Sequence, residues 1–247
     1  APYAEASEMS KKAADEPDEY ARKPMAETAE KLSRWARRSE DIGRIRAMIT
    51  LAQSEPNIPV LPDELDTDPW LLNCENGTID LRTGQLREHR PEDLITKLAP
   101  VTFDQDATCP TFDRFLAQIL AEDDELIVYL QRAVGYSLTG DVSEQVLFIF
   151  HGTGANGKST LLNAVMAMLG DYALKATSNL LMRSNGHPTE KTDLFGRRFV
   201  SAIETEEGRK LAEVFVKEAT GGDPIRARRM REDFWQFDPT HKLVLAT

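Results

Sequence analysis

The stretch Phe148-Ile149-Phe150-His151-Gly152-Thr153-Gly154-Ala155-Asn156-Gly157-Lys158-Ser159-Thr160 constrains this chain more than any other, because an apolar run breaks into glycines and ends in Lys-Ser-Thr. Gln145 to Phe150 has the β-branched and aromatic content of a buried strand. Ser159 to Leu169 places Leu162, Val165, Met166 and Leu169 at helical spacing. Gly152, four residues, then Gly157-Lys158-Ser159 fits the phosphate-loop pattern, in which backbone N–H groups surround a phosphate at the positive end of a helix. Glycines suit such a loop because side chains would block the approach and because some positions take φ > 0. Lys158 supplies a mobile positive charge for the β- and γ-phosphates. The Ser159 hydroxyl is sized to sit on a Mg²⁺ that keeps most of its waters, and Thr160 offers a second phosphate contact. A lysine in the first helical turn opposes the helix dipole unless an anion meets it.

A chain of 247 residues, 41% hydrophobic, can bury one large core or two modest ones. The net charge of −11 argues against a protein that coats nucleic acid indiscriminately, so any DNA contact must come from a local basic feature. Cys74 and Cys109 are too few and too far apart for a zinc site, and His89, His151, His187 and His241 show no ligand spacing with them. Both cysteines read as reduced packing thiols of a cytoplasmic protein. No apolar run approaches the roughly 18 residues of a membrane span, so no membrane association is expected. The chain opens on Ala1 and closes on Leu243-Val244-Leu245-Ala246-Thr247, which reads as a buried strand, and both ends are expected to continue in a longer protein.

Residues 1–24, rich in Ala, Glu, Asp and Lys, predict a solvated or fraying segment. From Met25 to Ser54 the pattern predicts two helices broken near Gly43, with Leu32, Trp35, Ile42, Ile45, Met48 and Ile49 forming one face. Pro56, Pro59 and Pro62 mark a connection, and a boundary is placed near residue 68. Trp70 to Leu86 reads as a small β-meander, since Asn76-Gly77 and Thr83-Gly84 punctuate apolar runs. Pro110 to Thr139 predicts two packed helices, and the core region is taken from residue 141 to 247.

Arg198 to Glu204 predicts a buried parallel strand that delivers a carboxylate at its C-terminal end, side by side with the strand before the glycine loop. Glu204 and Glu206 can divide two tasks, holding the metal's water shell and orienting the attacking water. Glu206 and Glu207 can equally cap the helix predicted from Arg209 to Ala219, which places Leu211, Val214, Phe215 and Ala219 at one spacing. Beyond Gly221-Gly222, Arg226, Arg228, Arg229 and Arg231 precede Phe234-Trp235-Gln236-Phe237, which predicts a hairpin. Such arginines grip single-strand phosphates, or Arg226 and Arg228 pair with Asp223, Glu232 or Asp233, or with nucleotide phosphate across a subunit contact. Trp235 and Phe237 read as core residues of the hairpin base.

Leu72-Asn73 through Asn76-Gly77, Asp80-Leu81-Arg82-Thr83-Gly84, His89-Arg90-Pro91, Cys109-Pro110 and Gly135-Tyr136-Ser137-Leu138-Thr139-Gly140 resemble the region ahead of the helicase in phage and plasmid DNA primase/helicase proteins, related to the poxvirus helicase-primase. The Gly152 to Thr160 loop, Glu204-Thr205-Glu206-Glu207-Gly208, and Lys217 with Thr220-Gly221-Gly222-Asp223 resemble that family's superfamily 3 helicase motifs. The likeness implies an α/β, AAA+-like P-loop NTPase core behind a mainly helical region with a β-meander. It implies ATP and Mg²⁺ as cofactors, with Lys158, Glu204 and Glu206 catalytic and Ser159 and Glu204 on the metal. It further implies single-stranded DNA held by the Arg226, Arg228, Arg229 and Arg231 group, a homo-oligomeric ring, a hexamer at full length, and a primase domain in the same polypeptide. The family's third-motif Asn and arginine finger are expected beyond Thr247. The loop alone fits a small-molecule kinase as well, and the motifs together fit a DNA-stimulated clamp that does not unwind.

Overall fold

The structure, a computed structural model, describes residues 2–56, 58–182, 189–203 and 211–247. It divides into two compact units, Ala1–Pro62 and Asp63–Thr247.

The first unit is helical: α1 (Pro2–Asp15), α2 (Glu19–Ser39) and α3 (Ile42–Ala52). The segment read as fraying is therefore helix. Ala6 and Ala13 on α1, and Ala29 and Ala36 on α2, are the buried residues, each pair seven apart and so on one helical face. Alanine is the strongest helix former and lets two backbones approach closely, so this seam forms without the large apolar residues that a periodicity reading seeks. Asp18 caps α2 by accepting from the Tyr20 N–H, and Asp41 caps α3 by accepting from the Gly43 and Arg44 N–H groups. The break thus falls at the capping aspartate, and Gly43 lies inside α3. The predicted apolar face is corrected too: Trp35, Ile42, Met48 and Ile49 are exposed.

The second unit begins with an antiparallel meander, β1 (Leu71–Cys74), β2 (Gly77–Asp80) and β3 (Gln85–Arg87). Its first turn requires glycine: at Gly77 φ is 155°, and a Cβ would lie 2.4 Å from the Arg87 carbonyl oxygen. Two helices follow, α4 (Pro110–Ile119) and α5 (Asp124–Leu138), the second capped by Asp123 accepting from the Leu126 N–H. Cys74 is buried, whereas Cys109, at the N-terminus of α4, is exposed, which corrects its reading as a packing thiol.

The remainder comprises β4 (Leu147–Phe150), α6 (Lys158–Leu169), β5 (Ala173–Lys175), α7 (Ser178–Leu181), β6 (Phe199–Ile203), α8 (Glu213–Thr220), β7 (Ile225–Ala227), β8 (Trp235–Phe237) and β9 (Lys242–Ala246). Strands β4, β9, β6 and β5 form a parallel sheet in that order, and β7 pairs with β8 as an antiparallel hairpin. The sheet is apolar on both faces. Val244 and Phe199 belong to a core with Leu161, Leu162, Val165 and Leu169 of α6. Leu243, Leu245, Val200 and Ala202 belong to a second core with Phe215 and Ala219 of α8 and Ile225, Ala227 and Phe237 of the hairpin. Alternate residues of one strand feeding two cores is the period-two geometry of a strand covered on both sides.

Two expectations about the sheet are corrected. The strand before the loop is not buried, because β4 is the terminal strand of the order and Ile149 is 55% exposed. Nor do β4 and β6 lie side by side, since β9 pairs with both and separates them. The last strand in sequence takes an interior position in the order, and all five of its residues are buried.

Candidate functional site

The parallel register brings the C-terminal ends of three strands to one level, with Phe150 opposite Ala246 and Ala246 opposite Ile203. At strand spacings of about 4.8 Å, the exits of β4 and β6 are roughly 10 Å apart across β9. The chain turns from β4 into residues 151–157 and then into α6, giving strand, glycine loop and helix in the expected sequence. His151 Nδ1 and Thr247 Oγ1 are 3.0 Å apart, and the Thr247 N–H donates to the Phe150 carbonyl at 3.0 Å, so the β4 and β9 exits are tied together.

Within the loop, Gly157 has φ 86° and caps α6 without a side-chain hydrogen bond. A Cβ there would lie 2.5 Å from Ile119 Cγ2, so both the backbone angle and the packing demand glycine. A Cβ on Gly152 would lie 2.3 Å from the Asn156 amide nitrogen, whereas Gly154 has open space around it. Ala155 is also left-handed at φ 60°, a conformation that the sequence did not signal. The Lys158 amine donates to the Gly152 carbonyl at 2.6 Å and to Asn156 Oδ1 at 3.0 Å. The first turn of α6 holds no acidic residue, and Ser159, Thr160 and Thr153 are exposed. These features leave the positive helix end, the lysine and two hydroxyls facing one cleft, the chemistry of an anion site.

That cleft, about 680 Å³, is lined by Gly154 to Thr160 and, on its other wall, by Phe115, Gln118 and Ile119 of α4. The α4 residues were absent from the sequence-derived site. Their signal was only an i, i+3, i+4 spacing that a core helix shares.

Glu204, Glu206 and Glu207 lie outside the described residues, while Ile203, immediately before Glu204, ends β6 at the level of the loop. Helix α8 begins at Glu213, after Leu211, which forms an isolated bridge to Met182, and Val214, expected on the apolar face, is 83% exposed. Lys217 is exposed on α8.

In the β7–β8 hairpin, Ile225, Arg226 and Ala227 lie opposite Phe237, Gln236 and Trp235. Arg226 and Arg228 both lie over the Phe234 ring, 4.3 and 4.9 Å from its centroid. Among the described residues neither forms an ion pair with Asp223, Glu232 or Asp233. Arg229 and Arg231 are exposed, the latter at φ 64° in the hairpin loop. Trp235 and Phe237 pack edge-on to Phe195 at 5.1 and 5.5 Å, a base that fixes the hairpin to the body.

The molecule is thus a mixed α/β protein whose parallel sheet presents a glycine-rich, lysine-bearing loop at its C-terminal edge. Two family profiles match it: "D5 N terminal like" over residues 3–121 and "Family of unknown function (DUF5906)" over residues 150–247. "Putative helicase L207/L206" of Acanthamoeba polyphaga mimivirus is 30% identical over 189 residues, 73% of this chain and 20% of that protein. "Putative primase C962R" of African swine fever virus (isolate Warthog/Namibia/Wart80/1980) is 26% identical over 198 residues, 74% of this chain and 20% of that protein. The apo NrS-1 C terminal region aligns with a TM-score of 0.48 at 13% identity, over 57% of this chain and 33% of that one. The two profiles and these viral relatives together support a phage and viral primase-helicase family for this chain. It spans about a fifth of the length of the curated relatives it matches. Among the described residues no helix is long and apolar enough to cross a membrane.

Proposed function

We propose that the second unit is the ATP-hydrolysing segment of a DNA helicase of superfamily 3, with a P-loop core. The observation that carries this reading is the N-terminus of α6, which has no side-chain cap among the described residues, with Lys158 in its first turn bonded, among those residues, to two oxygens of its own loop. Peptide N–H groups from Gly154 to Thr160 bind the phosphate oxygens. Lys158 exchanges the Gly152 carbonyl and the Asn156 amide oxygen for the β- and γ-phosphates. Those two acceptors are neutral, so a polyanion competes with them on charge.

Ser159 and, after β6, Glu204 hold the Mg²⁺. When bound, the metal neutralises charge developing on the phosphoryl oxygens. Glu206 orients the attacking water. The roughly 10 Å between the β4 and β6 exits supports a site between them, because it leaves room for phosphate, metal and water between the two strand ends. A neighbouring copy in a homo-oligomeric ring, a hexamer, completes the site with an arginine.

Arg226, Arg228, Arg229 and Arg231 bind single-stranded DNA. Two of them already lie on an exposed aromatic ring, an arrangement that offers phosphates a charge and a base a stacking surface. Phosphate contacts and stacking of this kind tolerate any sequence, as a translocating motor in replication requires.

The test is ATP turnover with and without single-stranded DNA, alongside DNA affinity measured across a salt series, using a chain extended past Thr247. Stimulated turnover is expected. Replacing Arg228 and Arg229 should flatten the log–log salt dependence by up to about one unit per lost phosphate contact. Turnover indifferent to DNA would favour a small-molecule kinase. Stimulation without strand separation on a tailed duplex would favour a clamp.

A further inference from the structure

The cleft beside the glycine loop has two unlike walls. One is the loop itself, with backbone N–H groups, Lys158, Ser159 and Thr160, and it suits phosphate. The other belongs to α4, where Phe115, Gln118 and Ile119 fall at i, i+3 and i+4 and so share one face. That wall brings no charged side chain to the cleft, only a half-buried aromatic ring, a half-buried aliphatic chain and an exposed amide. It is held close to the loop, since the Cβ position of Gly157 is 3.3 Å from Phe115 Cε2 and 2.5 Å from Ile119 Cγ2. The cleft's size, about 680 Å³, is within the range of about 300–1,000 Å³ typical of small-molecule sites and exceeds what a phosphate chain needs.

A flat group with apolar faces and a hydrogen-bonding edge fits the α4 wall, continuous with an anion on the loop. A carboxamide presents one acceptor and one donor group, the pair that matches the N6 and N7 edge of adenine. We infer that Phe115 and Ile119 seat the nucleobase of the bound nucleoside triphosphate and that Gln118 selects adenine. This rests on the phosphate-loop reading above, and it assigns nucleotide selectivity to a helix outside the loop–helix segment.

Binding of ATP, GTP and inorganic tripolyphosphate, each with Mg²⁺, to the 247-residue chain by titration calorimetry separates the two walls. Phe115→Leu keeps an apolar side chain against the loop but removes the ring, and Gln118→Ala changes an exposed residue, so both variants should fold. Phe115→Leu should weaken ATP about tenfold, the loss expected of one stacked base, with tripolyphosphate within about twofold of wild type. Gln118→Ala should abolish a preference for ATP over GTP. Unchanged ATP affinity and unchanged preference in the variants would overturn the inference, as would tripolyphosphate weakening in step with ATP. Equal affinity of the wild type for ATP and tripolyphosphate would remove the base pocket alone. Binding of neither would remove the phosphate loop and the pocket with it.

Discussion

At the C-terminal edge of the parallel sheet, Lys158 is half-buried and, among the described residues, touches two neutral oxygens of its own loop. At the opposite edge, where β6 and β9 begin, Arg198, His241 and Lys242 are buried. Arg198 donates to the Leu138 carbonyl at 2.6 Å and the Leu71 carbonyl at 2.7 Å, and its guanidinium lies 4.5 Å from the Tyr172 ring centroid. Lys242 donates to the Thr139 carbonyl and, at 3.1 Å, to that of Asp141, with its amine over the Tyr136 ring. Burial lowers Arg198, and burial together with the Arg198 charge pulls Lys242 down to about 7. One end of the sheet keeps a cation ready to exchange partners; the other uses cations to join the meander and α5 to the strands. Charge type does not decide between these roles. Burial does.

The sharpest way to break this contrast is Arg198→Ala, which leaves the Leu71 and Leu138 carbonyls without their donor inside the core. At about 1.5–3 kcal/mol per charge-assisted bond, a stability loss of roughly 4 kcal/mol is expected in denaturant titrations. A loss under about 1 kcal/mol would make the buried end no more structural than the loop. Lys158→Ala should do the reverse. ATP turnover falls on the order of 100-fold or more, as when one charge-stabilising donor is removed, while stability shifts by less than about 1 kcal/mol.

The smallest effect concerns His241, whose ring nitrogens have no hydrogen-bond partner among the described residues. Burial first, then the Lys242 charge, lowers it from 6.5 to about 4. Because the folded state binds its proton more weakly than the unfolded one, this stability is present above pH 6.5 and is lost as the pH falls toward 4. The slope is at most about 1.4 kcal/mol per pH unit for one proton. His241→Leu should flatten the stability profile between pH 6.5 and 5, a window chosen above the carboxylate range. An unaltered profile would mean that the histidine reaches water.

The glycine loop, the helix after it and the strand character of Phe199–Ile203 and Lys242–Ala246 were legible because each rests on local sequence: glycine spacing, β-branched runs, helical periodicity. The α1–α2 seam was not, since Ala6, Ala13, Ala29 and Ala36 carry too little apolar surface to register as a face, yet they suffice when two helices touch. Trp35 and Val214 mislead in the other direction, being large or β-branched and exposed. The α4 wall of the cleft was equally hidden, because nothing local distinguishes Phe115 and Ile119 from core residues.

By itself the sequence determined that the chain carries a phosphate-loop pattern, where its turn needs glycine, and that Phe199–Ile203 and Lys242–Ala246 become buried strands, all consequences of backbone stereochemistry and local patterning. Only the tertiary structure decided that β9 stands between β4 and β6, that α4 faces the loop, and that Arg198 and Lys242 end on backbone carbonyls. Strand order and such contacts join residues far apart in the chain. They are set by which surfaces bury best together, a quantity that no local stretch contains.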